Sequence, residues 1–346
     1  MDFPEYNDLF APLFSLPVSR IRIRFSAREE WKIFGRETAL RGLMGMNLRR
    51  LCCPFPEFRK KDCEVCELAD NCLYIRLFSP LSLPEKTGEG KSLQRHPVRP
   101  FVPALDGDSN EYFLEPGQKG TAALTLFGPA ISYCSLFMEA AVSALSVFPL
   151  QVEDIRILSP CAAQGENPDA LAFPLAEWIH RPPDPFPERK GSPSSRFISP
   201  SLQESGAGGS GSQENIARLH LRMITPVRLF NDNSLKNIDF SIIVQAIVRR
   251  LRDLKRRFGE GSDMGRAEES FYHAVKKVGT VHNDLHWSKR ERYSRRQSRG
   301  VSLSGFRGNI IFQGPVQAFY PLLKAAEIVH VGKGTSGGCG RVELVG

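Results

Sequence analysis

The segment His330–Leu344, HVGKGTSGGCGRVEL, contains five glycines and one lysine between two apolar stretches. Glycines let the backbone approach a ligand and expose its N–H groups, and Lys333 adds a positive charge, so the segment predicts a phosphate-binding loop. A nucleotide-hydrolase loop needs G-x-x-x-x-G-K-[ST] after a strand and before a helix. Here Lys333 follows the first glycine, and the loop follows a helical pattern and precedes a strand pattern. Both differences argue against a nucleotide hydrolase.

The second half of the chain, residues 216–346, places this loop before its last strand. Apolar periodicity predicts an extended segment, a helix, a hairpin, a second helix and a final strand. The quoted stretches are ARLHLRMITPVRLF, FSIIVQAIVRRLRDLKRRF, SLSGFRGNIIFQG, PVQAFYPLLKAAEIVH and GRVELV. This is a β-α-β-β-α-β order.

The first half, residues 1–160, predicts the same order of elements. The stretch SRIRIRF alternates apolar and basic residues, as a strand with one buried face does. A helix follows, then extended segments about a turn within Phe113–Gly128, a helix beginning at Pro129, and the strand VEDIRILSP. Residues 161–215 are rich in Pro, Gly and Ser and predict a linker or long loop. The prediction is therefore an α+β chain of two tandem ferredoxin-like (RRM-like) domains.

Composition restricts the class of protein further. The chain has 346 residues, of which 41% are hydrophobic and 24% are charged, and this composition is typical of a globular protein. It has neither a long apolar run nor a basic-then-apolar N-terminus, so we expect it to be cytoplasmic, with no membrane partner.

Two basic runs, Arg249–Phe258 and Trp287–Arg299, lie in the second half, and the latter includes two aromatic residues. Cations for phosphates and flat rings for bases favour RNA or DNA as the partner. The alternative for either run alone is a solvated helix face.

Five of the eight cysteines lie between positions 52 and 72. The spacing Cys53-x9-Cys63-x2-Cys66-x5-Cys72 offers four thiolates to one structural zinc ion, with Cys52 as a spare or a substitute. A disulfide knot is the alternative, but it fits a cytosolic chain poorly. Four thiolates would leave the ion no open position for catalysis.

The glycine-rich segment resembles the C-terminal signature of the RAMP superfamily of CRISPR-associated proteins. Together with LSGFRGNIIF, RYSRRQSR and FYPLLKAAEIVHVGKG, it is similar to the sixth Cas family, the endoribonucleases that process repeat RNA. The stretches LRGLMGMNLRRLCC, FLEP, LFGPA and MITPVRL agree, so the similarity covers nearly the whole chain outside the predicted linker.

This resemblance implies that the chain binds precursor CRISPR RNA and cuts it once per repeat. It implies a metal-independent reaction in which a ribose 2′-OH attacks the adjacent phosphate, leaving a 2′,3′-cyclic phosphate and a 5′-OH. CRISPR effector-complex proteins are further candidate partners. A non-catalytic RAMP-fold subunit that binds the RNA is the alternative.

The reaction requires a base, an acid and cations that stabilise the phosphorane. Many family members use a histidine near the first helix of the first domain, but residues 28–51 contain none here. His282 and His286 are therefore the candidates, and at a spacing of four they would share one face of a helix. The alternative is that they cap or pack a loop or contact phosphates.

A second candidate set needs no histidine. Tyr293 would position the phosphate together with Arg292, Arg295 and Arg296. The loop residues predicted to contact RNA are Gly332, Lys333, Gly334, Gly337, Gly338, Gly340 and Arg341.

Overall fold

The structure is a computed structural model of the chain. It describes residues 5–33, 36–55, 57, 63, 65–79, 98–107, 112–159, 172–180, 217–229, 238–261, 269–289, 291–294 and 299–345. Within these ranges no helix is both long and apolar enough to cross a membrane.

The first ten elements run from α1 to β6. In chain order they are α1 (Glu5–Phe14), β1 (Pro17–Ala27), β2 (Trp31–Ile33), α2 (Arg36–Cys52), α3 (Leu73–Leu77), β3 (Phe101–Leu105), β4 (Tyr112–Leu114), β5 (Lys119–Phe127), α4 (Cys134–Leu145) and β6 (Leu150–Leu158).

The remaining elements run from β7 to β14. They are β7 (Phe173–Pro174), α5 (Leu175–His180), β8 (Ala217–Val227), α6 (Phe240–Phe258), α7 (Glu269–Lys276), β9 (Gly279–Asn283), β10 (His286–Ser288), β11 (Glu291–Ser294), β12 (Arg299–Ser302), β13 (Gly305–Gly314), α8 (Tyr320–Val329) and β14 (Val342–Val345).

Two antiparallel sheets with the same strand order form the frame of the molecule. The first has the order β3-β5-β1-β6, with β7 also paired to β1. The second has the order β10-β13-β8-β14, with β9 also paired to β13. In the first sheet β1 lies between β5 and β6, and in the second sheet β8 lies between β13 and β14. In each case the first of the four main strands lies between the third and the fourth, as a β-α-β-β-α-β chain predicts. The α+β class with antiparallel sheets is therefore confirmed.

Strand β1 shows why the first sheet has two unlike faces. Ile21, Ile23 and Phe25 are buried in one core with side chains of α2 and α4. Because successive side chains of a strand point to opposite faces, the intervening arginines lie on the face turned away from those helices.

Helix α6 covers the second sheet. Its N-cap is Asp239, whose carboxylate accepts a hydrogen bond of 2.9 Å from the Ile242 amide. Its buried apolar side chains recur at helical spacing and are Phe240, Ile243, Val244, Ile247, Val248, Leu251 and Leu254.

Three elements differ from the sequence prediction. The predicted helices at Pro129 and Pro315 begin with 3-10 turns, Gly128–Tyr133 and Val316–Phe319, before α4 and α8. The hairpin predicted within residues 302–314 is wrong, because β13 is one continuous strand paired with β8. Gly308 (φ 119°) does not turn the chain back there. It lies where a side chain would collide with the Asp284 carbonyl oxygen.

The segment predicted as a linker contains packed structure at residues 173–180. Strand β7 pairs with β1, and Leu175, Trp178 and Ile179 of α5 are buried. These side chains belong to the core of the second sheet, as does Phe10 of α1, whose ring packs edge-on to Phe271 with centroids 5.0 Å apart. The halves separated by sequence composition therefore share a core.

Candidate nucleic-acid interface

The face of the first sheet turned away from α2 and α4 carries a stripe of arginines, and at one end Arg20 lies over the Trp178 ring of α5, 5.3 Å from its centroid. Arg20, Arg22 and Arg24 follow one another along β1, and Arg156 of β6 is registered beside Arg22. Exposure increases along the stripe, from Arg20 at 8% to the exposed Arg24. Threonine and alanine side chains of β5 stand opposite these arginines, so the stripe has small neighbours.

Two arginines of this stripe, Arg22 and Arg156, share one carboxylate. Asp154 lies 2.8 Å from Arg156 Nε and 3.9 Å from Arg22 Nη2. Burial lowers the pKa of Arg22, and the charge of Arg24 acts in the same direction. Like charges held together on a sheet would be stabilised by a bound anion.

The corresponding face of the second sheet is polar. Its central positions are Arg218, His220 and Arg222 of β8, which alternate with the buried Leu219, Leu221 and Met223. The sheet register pairs these three polar residues with Gln313, Ile311 and Asn309 of β13. His220 Nε2 lies 3.0 Å from Asn309 Oδ1, and Arg218 Nε donates to Gln313 Oε1 at 3.3 Å.

His282 lies on this polar face. It pairs with Ile311, which pairs in turn with His220, so these three side chains share one side of the sheet. His286 lies on a different strand, β10, and pairs with Arg307. Both histidines are exposed.

The helical spacing expected of His282 and His286 is wrong. Their partners Ile311 and Arg307 are four residues apart on one extended strand, roughly 13 Å at 3.3 Å per residue. Neighbours on a helix would have Cβ atoms about 5–6 Å apart. The two imidazoles are therefore not adjacent in the way that helical spacing predicts.

The structure does not describe the side chains of the second candidate set, which consists of Tyr293 and the three arginines near it. Arg292 and Tyr293 are on β11, where they pair with Val301 and Gly300 of β12. The structure describes their backbone but not their side chains, and Arg295 and Arg296 lie outside the described residues.

Three glycines of the loop allow its backbone to pack closely against neighbouring segments. Gly332, Gly338 and Gly340 have φ values of 83°, 83° and 81°. A Cβ atom on them would collide with the Arg228 carbonyl, the Glu37 side chain and the Val331 carbonyl, respectively.

Most loop amides already have protein acceptors. Gly337 N–H donates to Gly334 O at 2.8 Å, Gly338 N–H to Thr335 O at 2.9 Å, and Lys333 N–H to Arg228 O at 2.9 Å. Cys339 and Gly340 also donate to carbonyl oxygens, at 3.3 Å and 3.0 Å. These five amides do not point at a phosphate, which differs from the expectation for a phosphate-binding loop. Lys333 and Gly334 form its exposed tip.

The loop is docked on the first half of the chain. Thr38 Oγ1 donates to Gly337 O at 3.0 Å, and Arg341 Nη1 donates to Leu105 O at 2.8 Å. Arg99 Nη1 lies 3.5 Å from Ser336 Oγ. The loop therefore joins the start of α2 and the end of β3 to the second sheet.

His330 contacts the glycine-rich loop from the protein interior. It is a buried non-glycine residue with a φ of 57°, and its Nδ1 lies 3.2 Å from Cys339 O. Burial lowers the pKa of His330 to about 3, and the charges of Arg341, Arg250 and Arg20 act in the same direction. The His330 imidazole is thus neutral and buried, so it is suited to positioning the loop and not to exchanging a proton with a substrate.

The basic run of α6 divides into structural and exposed residues. Buried Arg250 donates from Nε to Val329 O at 3.2 Å, and burial lowers its pKa to about 10. Buried Lys255 donates to Ser15 Oγ at 2.6 Å. Arg249, Arg252 and Arg256 instead line an outer groove with Tyr272 of α7. Only part of this run is therefore available to a partner.

The cysteine segment surrounds one small cavity. Its lining includes Cys53, Cys63, Cys66 and Cys72, all as free thiols. Burial raises the pKa of the Cys63 thiol. As they stand, no three His, Cys, Asp or Glu side chains in the described part of the chain are grouped as a metal site.

Sequence reasoning missed the arginine stripe and two threonines. The alternation in SRIRIRF predicted a strand, but its arginines were not assigned to a surface. Thr225 Oγ1 donates to Gly338 O at 2.8 Å and accepts from Arg341 N–H at 2.9 Å, and Thr38 holds Gly337. Neither threonine gives a local sequence signal, because both partners are distant in the chain.

Comparisons with known proteins bear on both halves. Residues 221–342 match the family model described as CRISPR-associated endoribonuclease Cas6. Residues 16–147 match a model described as an N-terminal domain, AF_1859_N. No curated protein matches the chain.

Solved structures resemble the chain along nearly its whole length. A partial Cas6-RT-Cas1–Cas2 complex is 10% identical with a TM-score of 0.50, covering 95% of this chain and 46% of that one. Cas6 of Thermus thermophilus is 13% identical with a TM-score of 0.45, covering 95% and 98%. A Cas6-related protein of Pyrococcus furiosus is 10% identical with a TM-score of 0.39, covering 95% and 98%. At such identities the first of these likenesses shows a shared fold alone.

Proposed function

We propose that this chain, which belongs to the CRISPR-associated Cas6-type RAMP proteins, cleaves precursor CRISPR RNA within its repeats. The observation that carries the proposal is that the matched family region, residues 221–342, contains Arg222 of β8, the whole of β13, His282 and most of the docked glycine-rich loop. Each half would be a ferredoxin-like domain, and the RNA backbone would lie across the exposed parts of the arginine-bearing face of the first sheet and of the polar face of the second.

The arginines on those faces would bind phosphates. Arg22, Arg24 and Arg156 on the first sheet and Arg218 and Arg222 on the second supply cations on exposed or partly exposed strand positions. Each phosphate neutralised releases counterions, which makes the affinity depend on salt.

Lys333 would add a further cation at the loop tip. Its side chain is exposed, and Arg341, nearby in the same loop, donates to Leu105 O. The loop glycines would then serve the RNA indirectly, because they let the loop pack tightly enough to hold Lys333 in place.

The proposed reaction is an internal transesterification. The 2′-oxygen forms a bond to the adjacent phosphorus, the bond to the 5′-oxygen breaks, and the products are a 2′,3′-cyclic phosphate and a 5′-OH. A base takes the 2′-OH proton and an acid protonates the leaving oxygen, while arginines stabilise the phosphorane charge. No metal ion takes part in this scheme.

His282 is the first candidate for proton transfer. It is exposed, and it lies in register with Ile311 and His220 on the polar face. His286, at the edge of the same sheet, and Tyr293, on the β11–β12 ribbon, are the next candidates.

A labelled repeat RNA incubated with the full chain in EDTA tests the proposal. We expect cleavage at one position per repeat, a cyclic phosphate on the upstream product, and no cleavage of RNA with a deoxyribose at that position. Tight binding without product would contradict the enzyme.

The second candidate function is a non-catalytic subunit that binds repeat RNA, alone or with other CRISPR proteins. Helix α2, the first helix of the first sheet's domain, contains no histidine, and its residues Glu37 and Thr38 are buried. Binding that persists while cleavage is absent in every buffer would support this alternative.

A further inference from the structure

We propose that Cys53, Cys63, Cys66 and Cys72 bind one structural zinc ion between the end of α2 and the start of α3. The four thiols lie close together in sequence, and all four line the same cavity. Sulfur is the ligand type that zinc prefers in closed four-coordinate sites, and the Cys63-x2-Cys66 spacing is typical of such sites.

The cavity distinguishes Cys53 from Cys52, which the sequence leaves as a spare or a substitute. Cys53 lines the cavity, whereas Cys52 is not among its lining residues. Cys52 is the last residue of α2, and the Cys53 amide still donates to Arg49 O at 2.9 Å, so the helix fixes the direction of both side chains. The structure therefore assigns the ligand role to Cys53.

Among the described residues between these helices, few have apolar side chains that are buried. Val65 and Leu68 are 83% and 42% exposed, and the 3-10 turn Ala69–Asn71 has no buried residue. Backbone hydrogen bonds order the end of this segment, where Ala69 N–H donates to Cys66 O at 2.9 Å. A metal cross-link supplies the stability that apolar burial does not.

Arg49 makes the cavity suitable for a charged cluster. Four thiolates around Zn²⁺ carry a net negative charge, and Arg49 lines the same cavity. With four sulfur ligands the ion has no open coordination position, so its role is to hold structure.

The site connects to the glycine-rich loop through α3. Phe78, directly after α3, packs its ring where Gly45 of α2 leaves room for it. The Phe78 carbonyl accepts from Arg99 Nε at 3.0 Å, and Arg99 Nη1 lies 3.5 Å from Ser336 of the loop. Loss of the ion would therefore loosen α3 and a contact to the loop.

Metal analysis of the purified full chain tests the proposal. We expect about one zinc per chain in the wild-type protein, as a closed four-ligand site requires. The variant C53S should lose this zinc, whereas the matched control C52S should retain it. Retention in C53S together with loss in C52S would overturn the ligand assignment.

Two measurements on the wild-type chain keep the proposal testable if C53S does not fold. Co²⁺ added to zinc-free protein should give the absorption of a tetrahedral thiolate site, saturating at one equivalent, and chelation should lower the melting temperature. Iron in place of zinc, a disulfide among the four cysteines, or no uptake of Co²⁺ would each overturn it. None of these readouts depends on RNA cleavage, so the zinc proposal and the proposed function can fail separately.

Discussion

The Thr38 hydroxyl donates a hydrogen bond of 3.0 Å to Gly337 O, a residue 299 positions further along the chain. Next to it, Gly338 lies against the Glu37 side chain, and Glu37 Oε1 accepts from Leu105 N–H at 3.4 Å. The start of α2 and the glycine-rich loop are thus one packed unit, to which both halves of the chain contribute.

Replacing Gly338 with alanine should destabilise this unit. The residue has a φ of 83°, and an added Cβ would collide with Glu37, so we expect a loss of at least about 2 kcal/mol in the free energy of unfolding. Urea denaturation measures it. Gly337→Ala is the matched control, because its nearest neighbour would be 3.6 Å away, in ordinary contact. Equal losses in both variants would contradict the packing explanation.

Replacing Arg24 and Arg218 with glutamine should weaken RNA binding. These exposed residues stand on different sheets, and removing one phosphate-binding cation should reduce the slope of log affinity against log salt by about 0.7–0.9. Fluorescence anisotropy at several salt concentrations provides the slope. Lys276→Gln, which removes an equal charge from the exposed face of α7, should leave it unchanged. An equal effect of all three substitutions would point to net charge rather than to the sheet faces.

Replacing His282 with alanine should slow cleavage far more than it weakens binding. Loss of one proton-transfer group costs typically about 10²–10⁴-fold in rate. Single-turnover cleavage and RNA affinity, measured on the same preparation, separate the two effects. His273→Ala on α7 removes another exposed imidazole and serves as the control. If His282→Ala cleaves at the wild-type rate, His286 and then Tyr293 become the residues to replace.

The stability of the protein should fall as the pH is lowered through the range set by His330. Burial lowers its pKa in the folded chain to about 3 from 6.5, so in acid the unfolded chain binds a proton that the folded chain does not. The contribution of His330 to the free energy of unfolding is fully present above pH 6.5 and is lost as the pH falls towards about 3. At pH 5 the free energy of unfolding should be about 2 kcal/mol lower than at neutral pH because of this group.

The variant His330→Asn isolates this contribution. Asparagine does not titrate and tolerates positive φ angles better than most residues. Its unfolding free energy should therefore depend less on pH between 7 and 5 than that of the wild-type chain. Parallel curves would exclude His330 as the source of the dependence.

Periodicity predicted the elements that bury one face. The alternation around Ile21 and Ile23 and the helical spacing in α6 come from local packing, so the sequence carries them directly. The region of His282 and His286 has no such signal. Its strands exist because they pair with β13, and a pairing partner is not visible in a local window.

The glycine-rich loop illustrates a different limit. A run of glycines suits both a loop that exposes its N–H groups to a phosphate and a loop that packs against other chain segments. Which of these holds depends on Arg228 and Glu37, which are remote in sequence. The four cysteines are close in sequence, so their spacing alone suggests a shared site, and in the structure they line one cavity.

The edge-on contact between Phe10 and Phe271 has a practical consequence for dividing the chain. A fragment that ended at residue 160 would leave Phe10 and Leu13 without the core that buries them, and the complementary fragment would have an uncovered apolar surface. Such a surface promotes aggregation. Expression of either half alone should therefore give insoluble material, and co-expression of both fragments is the way to recover the fold in two pieces.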